Sequence, residues 1–407
     1  MALISVTEAL GRVIGSVAEP VSPEEVRIEE AAGRTLATDL AALRTQPPFA
    51  ASAMDGYAVQ AADLAIIPAR LTVVGRSVAG RGYPGTVEPG DAVRIFTGAP
   101  IPDGADAIVI QEDTDLGDPE VEIRERPVPG RFIRPAGLDF RHGQFLLKAG
   151  ERLDARRLAL AAAMGHPELP VRRRPRVAIL ATGDELVRPG QPVGPDQIVA
   201  SNPYALRAVV ERAGGEAIDL GIARDTLEDL RRAVDAARQV RADLLLTLGG
   251  ASVGEHDLVQ AALTDGGMEL GFWRVALRPG KPLMHGRLGP MLLVGLPGNP
   301  VSSIVCGILF VVPAVRALLG DPRAGEDPTE AAVLGRDLPA NDTRQDYMRA
   351  RLERGPDGEL VATAEHRQDS SMLATLAASE ALIVRAPYAP AAKAGARCRI
   401  IRLDRYC

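Results

Sequence analysis

Leu246-Thr247-Leu248-Gly249-Gly250-Ala251-Ser252-Val253-Gly254-Glu255-His256-Asp257 is the stretch whose reading decides the fold. An apolar strand breaks into a loop of small residues and then delivers carboxylates at Glu255 and Asp257. A strand that feeds a glycine-rich loop and then a helix lets backbone N–H groups converge on a phosphate. The carboxylates beside it suit a divalent cation. Further along, Leu296-Pro297-Gly298-Asn299-Pro300-Val301-Ser302-Ser303 is a second element of this kind, opening an apolar helix. Two such loops in one domain predict a sizeable ligand that brings phosphate and metal together.

Outward from this stretch the chain alternates strand and helix. Val177–Leu180 reads as a strand, and Asn202-Pro203 opens a helix that runs to Gly214-Gly215. Glu216–Gly221 is a second strand; Thr226-x-x-Asp229 caps a helix that buries Leu227, Leu230 and Val234; Leu244–Leu248 is a third strand. Continuous apolar strands alternating with helices predict a doubly wound parallel sheet, with ligands at the carboxyl ends of the strands. This central α/β domain is expected over residues 173–322.

The flanks differ in texture. Residues 1–44 begin with the capping box Ser5-Val6-Thr7-Glu8 and place Leu10, Val13, Ile14 and Val17 on one face. Leu153–Met164 returns to that pattern, so 1–44 with 139–172 is read as a helical domain. Between them, at 45–138, Gly and Pro punctuate β-rich runs at Leu71–Gly75, Ala92–Thr97 and Ala107–Ile110, with a turn at Pro102-Asp103-Gly104. That is an inserted β domain. The run Arg172-Arg173-Arg174-Pro175-Arg176 reads as a solvated linker. At 323–407, strands at Tyr347–Leu352, Glu359–Ala364, Ala381–Arg385 and Ala396–Leu403 predict a closing β barrel. The fold class is thus multidomain α/β.

Composition excludes some functions. A net charge of −6 over 407 residues argues against a nucleic-acid binder. The three cysteines include no CxxC pair, which speaks against a disulfide scaffold or thiolate zinc site. Ile304–Val315 is too short to span a bilayer and is interrupted by Pro313, and the N-terminus has no secretory pattern. A cytoplasmic protein is expected, with no membrane partner.

Ala181-Thr182-Gly183-Asp184-Glu185 ends the first central strand in a small acidic loop. Read alone, it fits an ordinary turn as well as a ligand site. Asp225 ends the second strand and Asp257 follows the third, so carboxylates from three strand ends meet on one edge and call for a cation. Oxygen-only ligands favour Mg²⁺ over Zn²⁺. Opposite them, Arg274, Arg278 and Lys281 surround the turn Pro279-Gly280, an expected oxyanion clamp, although a basic hairpin is the plainer alternative. Asn299 and Ser302 add a helix N-terminus to the same anion. The histidines show no ligand spacing.

The chain resembles the molybdopterin molybdenumtransferase family, related to the C-terminal domain of gephyrin and its plant counterpart. The resemblance rests on Ser52-Ala53-Met54-Asp55-Gly56-Tyr57-Ala58, Arg94–Pro100, Ala181–Leu186, Gly249–Gly254 with Asp257, Pro279–Pro282 and Leu296–Ser302. Ala251 stands where valine is common, and Arg278 where lysine is common. The resemblance implies Mg²⁺-dependent insertion of molybdate into adenylylated molybdopterin with release of AMP, by an elongated homodimer whose sites lie between subunits. It implies catalytic roles for Asp55, Thr97, Asp139, Glu185, Asp225 and Asp257, with Glu185, Asp225 and Asp257 on the metal. Substrate contacts are implied at Thr182, Gly183, Asp184, Ser201, Asn202, Gly249, Gly250, Ser252, Gly254, Pro297, Gly298, Asn299 and Pro300. The oxyanion pocket would take Arg278, Lys281 and Ser302, and its outer wall Arg349 and Ser370-Ser371. Contact with the pterin adenylyltransferase of the pathway is a further expectation. That adenylyltransferase activity itself, or a gephyrin-like scaffold role, is the alternative; the flanking regions at 45–138 and 323–407 argue against the first.

Overall fold

Alternate residues of an extended strand face opposite sides of a sheet, and the central sheet of this protein buries both. The computed structural model describes residues 3–249 and 258–406. Its central region runs β1 (Arg176–Thr182), α1 (Asn202–Ala213), β2 (Glu216–Ala223), α2 (Leu227–Gln239), β3 (Leu244–Leu248), α3 (Leu258–Asp265), β4 (Glu269–Arg274), β5 (Pro282–Leu288), β6 (Met291–Leu296) and α4 (Pro300–Leu318). Val177, Ile179, Leu244, Leu246, Leu292 and Val294 pack on one face against α1 and α4. Ala178, Leu180, Leu245 and Leu293 pack on the other against Leu230, Val234 and Ala237 of α2. The strand order is β2-β1-β3-β6-β5-β4.

β2, β1, β3 and β6 are parallel, the doubly wound arrangement expected from the alternation. Two strands not foreseen, β5 and β4, extend the sheet antiparallel. The turn between β5 and β6 holds only Gly289 and Pro290, too short for a crossover, so the chain can only fold back as a hairpin.

Pro313 does not interrupt its helix: α4 is continuous for 19 residues with mean hydropathy 2.1. A π turn at Gly307–Val311 precedes the proline, which falls in the first turn of the restarted α-helix, where its missing N–H matters least. By length and apolarity α4 could cross a bilayer, yet it is 83% buried within the protein and serves as a core helix. Nor is the arginine run a solvated linker. Arg172 donates to the Val21 carbonyl at 3.0 Å, and Arg173 grips both carboxylate oxygens of Asp243, each at 2.7 Å. Asp243 also accepts the Arg176 N–H at 2.7 Å. The entry into β1 is therefore stapled to the start of β3 by a bidentate, charge-assisted pair.

The helix Val6–Gly15 is capped by Ser5, whose hydroxyl accepts the Glu8 N–H at 3.1 Å. It packs Val6, Ala9 and Val13 into the core of the central sheet. Helicity then ends sooner than the pattern of 1–44 suggested, since Pro20 and Pro23 lack the N–H a helix needs. Pro23–Arg27 instead pairs with Glu168–Arg172, and Leu40–Ala41 with Phe145–Leu147. Residues Ala31 to Ala42 share a core with Phe140 to Val171, including Met164 of the helix Ala155–Met164. The intervening sheet has five strands in the order Ala107–Ile110, Gly56–Val59, Asp91–Ile95, Ala69–Ser77, Glu120–Ile123.

At the other end, Gln345–Arg354, Leu360–Ala364, Glu330–Leu334, Arg397–Arg402 and Ala381–Arg385 pair in that order, and the last closes back on the first. The result is a five-stranded barrel. The short strand Leu277–Arg278 of the central region pairs in parallel with Gln345–Asp346 and docks that barrel on the sheet.

Candidate active site

Each parallel strand must end somewhere, and here the carboxyl ends of β1, β3 and β6 surround a cleft of about 640 Å³. Thr182, Gly183, Glu185, Ser201, Asn202, Asp225, Gly249, Pro297, Gly298, Asn299 and Pro300 all line it. These expected site residues come from five separate segments, and the fold brings them together. Close approach of backbones makes the walls. Gly249 has φ +102°, and a Cβ there would lie 2.7 Å from the Thr182 carbonyl oxygen, so only glycine fits. Asn202 closes the far side by donating its amide to the Gly298 carbonyl at 2.7 Å. The Thr182 hydroxyl is buried without a hydrogen-bond partner among the described residues. A buried hydroxyl left in that state has a strong preference for a ligand atom.

One edge of the cleft is acidic. The Asp225 carboxyl is held above the ordinary aspartate range, first by burial and then by the negative charges of Asp184 and Glu185. Asp184 reaches back to accept the Asp225 N–H at 3.4 Å. Among the described residues no three acidic, histidine or cysteine side chains form a metal-holding group. Asp257, the third carboxylate of the expected set, lies outside the described residues, as do Gly250, Ser252, Gly254 and Glu255.

Several expected residues stand elsewhere. The Arg278 guanidinium donates to Asp342 at 3.2 Å, to the Asn341 side chain at 3.2 Å and to Asp346, so it is committed to the barrel. The sequence could not reveal this, because its acidic partners are far along the chain. Arg349 is no outer wall: it is 1% exposed and its donors go to the Gln368 side chain and to the carbonyls of Met372 and Arg367. Ser302 is buried in the first turns of α4. Lys281 is exposed next to Pro282, a cleft residue, and has no carboxylate partner among the described residues. Asp55, Thr97 and Asp139 do not line this cleft. Asp55 instead accepts the Thr97 N–H at 2.7 Å and its hydroxyl at 2.8 Å. Those bonds hold the exposed carboxyl below its ordinary range.

The cleft also has an apolar side that the motif reading missed. Leu186, Ile198, Val199 and Leu373 line it, with Ser371 from the barrel. Ser370 acts one step back, accepting the Asn299 amide at 2.9 Å and, through its carbonyl, the Val301 N–H at 3.1 Å. Ile198 and Val199 are exposed just before α1, and an isolated apolar pair in the polar, Gly- and Pro-rich stretch 188–203 is the sequence signal that could have found them.

Comparison with known proteins adds to this geometry. The family described as the MoeA N-terminal region (domain I and II) matches residues 4–165. The probable molybdopterin binding domain matches 178–317, and the MoeA C-terminal region (domain IV) matches 331–403. The molybdopterin molybdenumtransferase of Haemophilus influenzae is 34% identical over 383 residues, 94% of each chain. The chain belongs to the molybdopterin molybdenumtransferase family. The Bacillus subtilis relative is 35% identical over 94% of this chain and 90% of its own. The molybdopterin biosynthesis MoeA protein of Pyrococcus horikoshii superposes with a TM-score of 0.85 at 27% identity, covering 98% of this chain and 99% of its own. The family matches on both sides of the central region cover the segments that set this chain apart from a lone pterin-binding domain.

The acidic edge generates a pH prediction. A carboxyl raised above its unfolded value adds stability below the ordinary aspartate range, and that stability is lost as pH rises through the raised value. Asp225→Asn should therefore raise the thermal unfolding midpoint at pH 7, with the gain vanishing below about pH 4. Scanning calorimetry of both proteins at the two pH values checks this.

Proposed function

We propose that the protein inserts molybdate into adenylylated molybdopterin with release of AMP, in a Mg²⁺-dependent step of molybdenum-cofactor biosynthesis in the cytoplasm. The observation that carries this reading is the cleft: apolar on one side, acidic on another, ringed by loop backbone, and large enough for a nucleotide-sized ligand. Ile198, Val199 and Leu373 offer the flat apolar wall a pterin or adenine ring would bury. The Thr182 hydroxyl and the Asn202 amide offer hydrogen bonds, and α4 opens beside the cleft with the positive end of its dipole.

The acidic edge fits Mg²⁺. Asp225 is disfavoured as an anion first by burial and then by Asp184 and Glu185, and a cation would relieve that repulsion. Oxygen donors without histidine or cysteine suit this ion, which commonly takes one or two carboxylates and completes its shell with water and substrate phosphate. Glu185 and Asp225 would hold it, with Asp257 joining them. Bound there, it would neutralise charge developing on the adenylyl phosphate as that linkage breaks. Lys281 supplies the positive charge that the molybdate dianion needs. Arg278 is engaged with the barrel, so exposed Lys281, beside the cleft residue Pro282, is the cation better placed to reach the anion.

AMP release tests the assignment, with purified protein, adenylylated molybdopterin, Mg²⁺ and molybdate. Glu185→Gln and Asp225→Ala should each lower the rate by about 10²–10³, and Lys281→Ala should raise the molybdate concentration required. Unchanged turnover in both acidic variants would overturn the metal assignment.

Asp55, Thr97 and Asp139 lie outside the cleft of their own chain, which favours a homodimer in which each copy lends them to its partner's cleft. Asp55→Ala and Asp225→Ala, each inactive alone, should then recover about a quarter of wild-type activity when co-expressed. Random mixing makes about half the dimers mixed, and each mixed dimer keeps one intact site. Absence of recovery in mixed dimers confirmed by mass would show that both sets act within one chain.

A further inference from the structure

A second cavity, of about 250 Å³, opens at the opposite ends of α1 and α4 from the cleft. Asn202 begins α1 at the cleft and Arg212 stands in its last turn, so about 15 Å of helix separates the two ends. Arg152, Arg212, Arg316, Arg323 and Arg405 line this cavity, together with Asp321 and Tyr406. It is the densest gathering of like charge among the described cavities.

Part of that charge has a plain structural account. Asp321 pairs with Arg316 at 2.8 Å and touches Arg323 at 3.9 Å, and Glu330 pairs with Arg405 at 2.6 Å. Arg212 and Arg316 also occupy the last turns of α1 and α4, where a cation offsets the negative helix end. Among the described residues, five guanidiniums against the two carboxylates Asp321 and Glu330 leave three positive charges in excess. Arg152 and Arg212 have no carboxylate partner among the described residues. Arg152 donates to the Gly33 carbonyl at 3.1 Å, and Arg212 to the carbonyls of Arg405, at 3.2 Å, and Asp404. Burial first, and then the like charges of Arg174, Arg316 and Arg212, disfavour the Arg152 cation.

A guanidinium fork matches a phosphate oxygen pair, and several forks around one cavity favour an anion of more than one charge. The cavity is smaller than the roughly 300–1,000 Å³ usual for a whole organic ligand, which favours a compact group over a complete nucleotide. We propose that this cavity is a binding site for a compact multivalent oxyanion of the phosphate class, separate from the substrate cleft. Inorganic phosphate, pyrophosphate and molybdate share the required chemistry.

Calorimetric titration of the full-length protein with each of these anions, at about 0.1 M salt so that exposed charges are screened, tests the site and tells its sources apart. At least one of them should bind the wild type, and Arg152→Gln with Arg212→Gln should weaken it at least tenfold. Arg152→Lys with Arg212→Lys, which keeps the charge and loses the forks, should bind more weakly than wild type and more tightly than the glutamine pair, and Lys281→Ala, which alters the cleft, should leave phosphate and pyrophosphate binding unchanged. If the double glutamine variant folds poorly, Arg152→Gln alone gives the same reading through a smaller loss. The proposal is overturned if none of the anions binds, or if binding follows Lys281 and ignores both arginines.

Discussion

Backbone crowding at the ends of β1, β3 and β6 is the constraint on which the rest of the architecture depends. Three neighbouring parallel strands must release their chains on one edge without collision. Gly249 meets that demand with φ +102° and no side chain, since a Cβ there would strike the Thr182 carbonyl. Its N–H donates to the Leu296 carbonyl at 3.2 Å, and a Cβ on Gly298 would lie 3.7 Å from its Cα. Gly249, where the first glycine loop begins, is therefore held backbone to backbone against the second loop at Leu296–Gly298.

A second layer of support comes from the barrel. Arg278 is tied to Asp342, Asp346 and Asn341, in register with the parallel pairing of Leu277–Arg278 and Gln345–Asp346. This seating brings Ser370 against Asn299 and Val301, and Ser371 and Leu373 into the cleft wall. Arg349, buried and bound to Gln368 and to the carbonyls of Arg367 and Met372, fixes the loop that carries them. Both arginines support the site through other residues.

The legible part of this fold was the part with local causes. Alternating strands and helices declare themselves through side-chain period, and caps such as Ser5 and Thr226 mark helix starts by a bond three residues away. Loop glycines, Thr182, Glu185, Asp225 and Asn299 were readable because the chemistry of a strand end is written in adjacent residues. What escaped has distant causes. The partners of Arg173 and Arg278 lie tens of residues off, and nothing near either arginine names them. β5 and β4 were hidden because a short apolar run does not state its direction. Pro313 looked like an interruption because a π turn leaves no local signature.

The proposed function places molybdate in the cleft at the carboxyl ends of β1, β3 and β6. Anomalous diffraction at the molybdenum edge, from crystals grown with molybdate and AMP, tests it most directly. A molybdenum peak is expected within that cleft, on the side of Lys281 and facing Asp225. Molybdenum found only outside the cleft, in crystals of protein shown to be active, would contradict it.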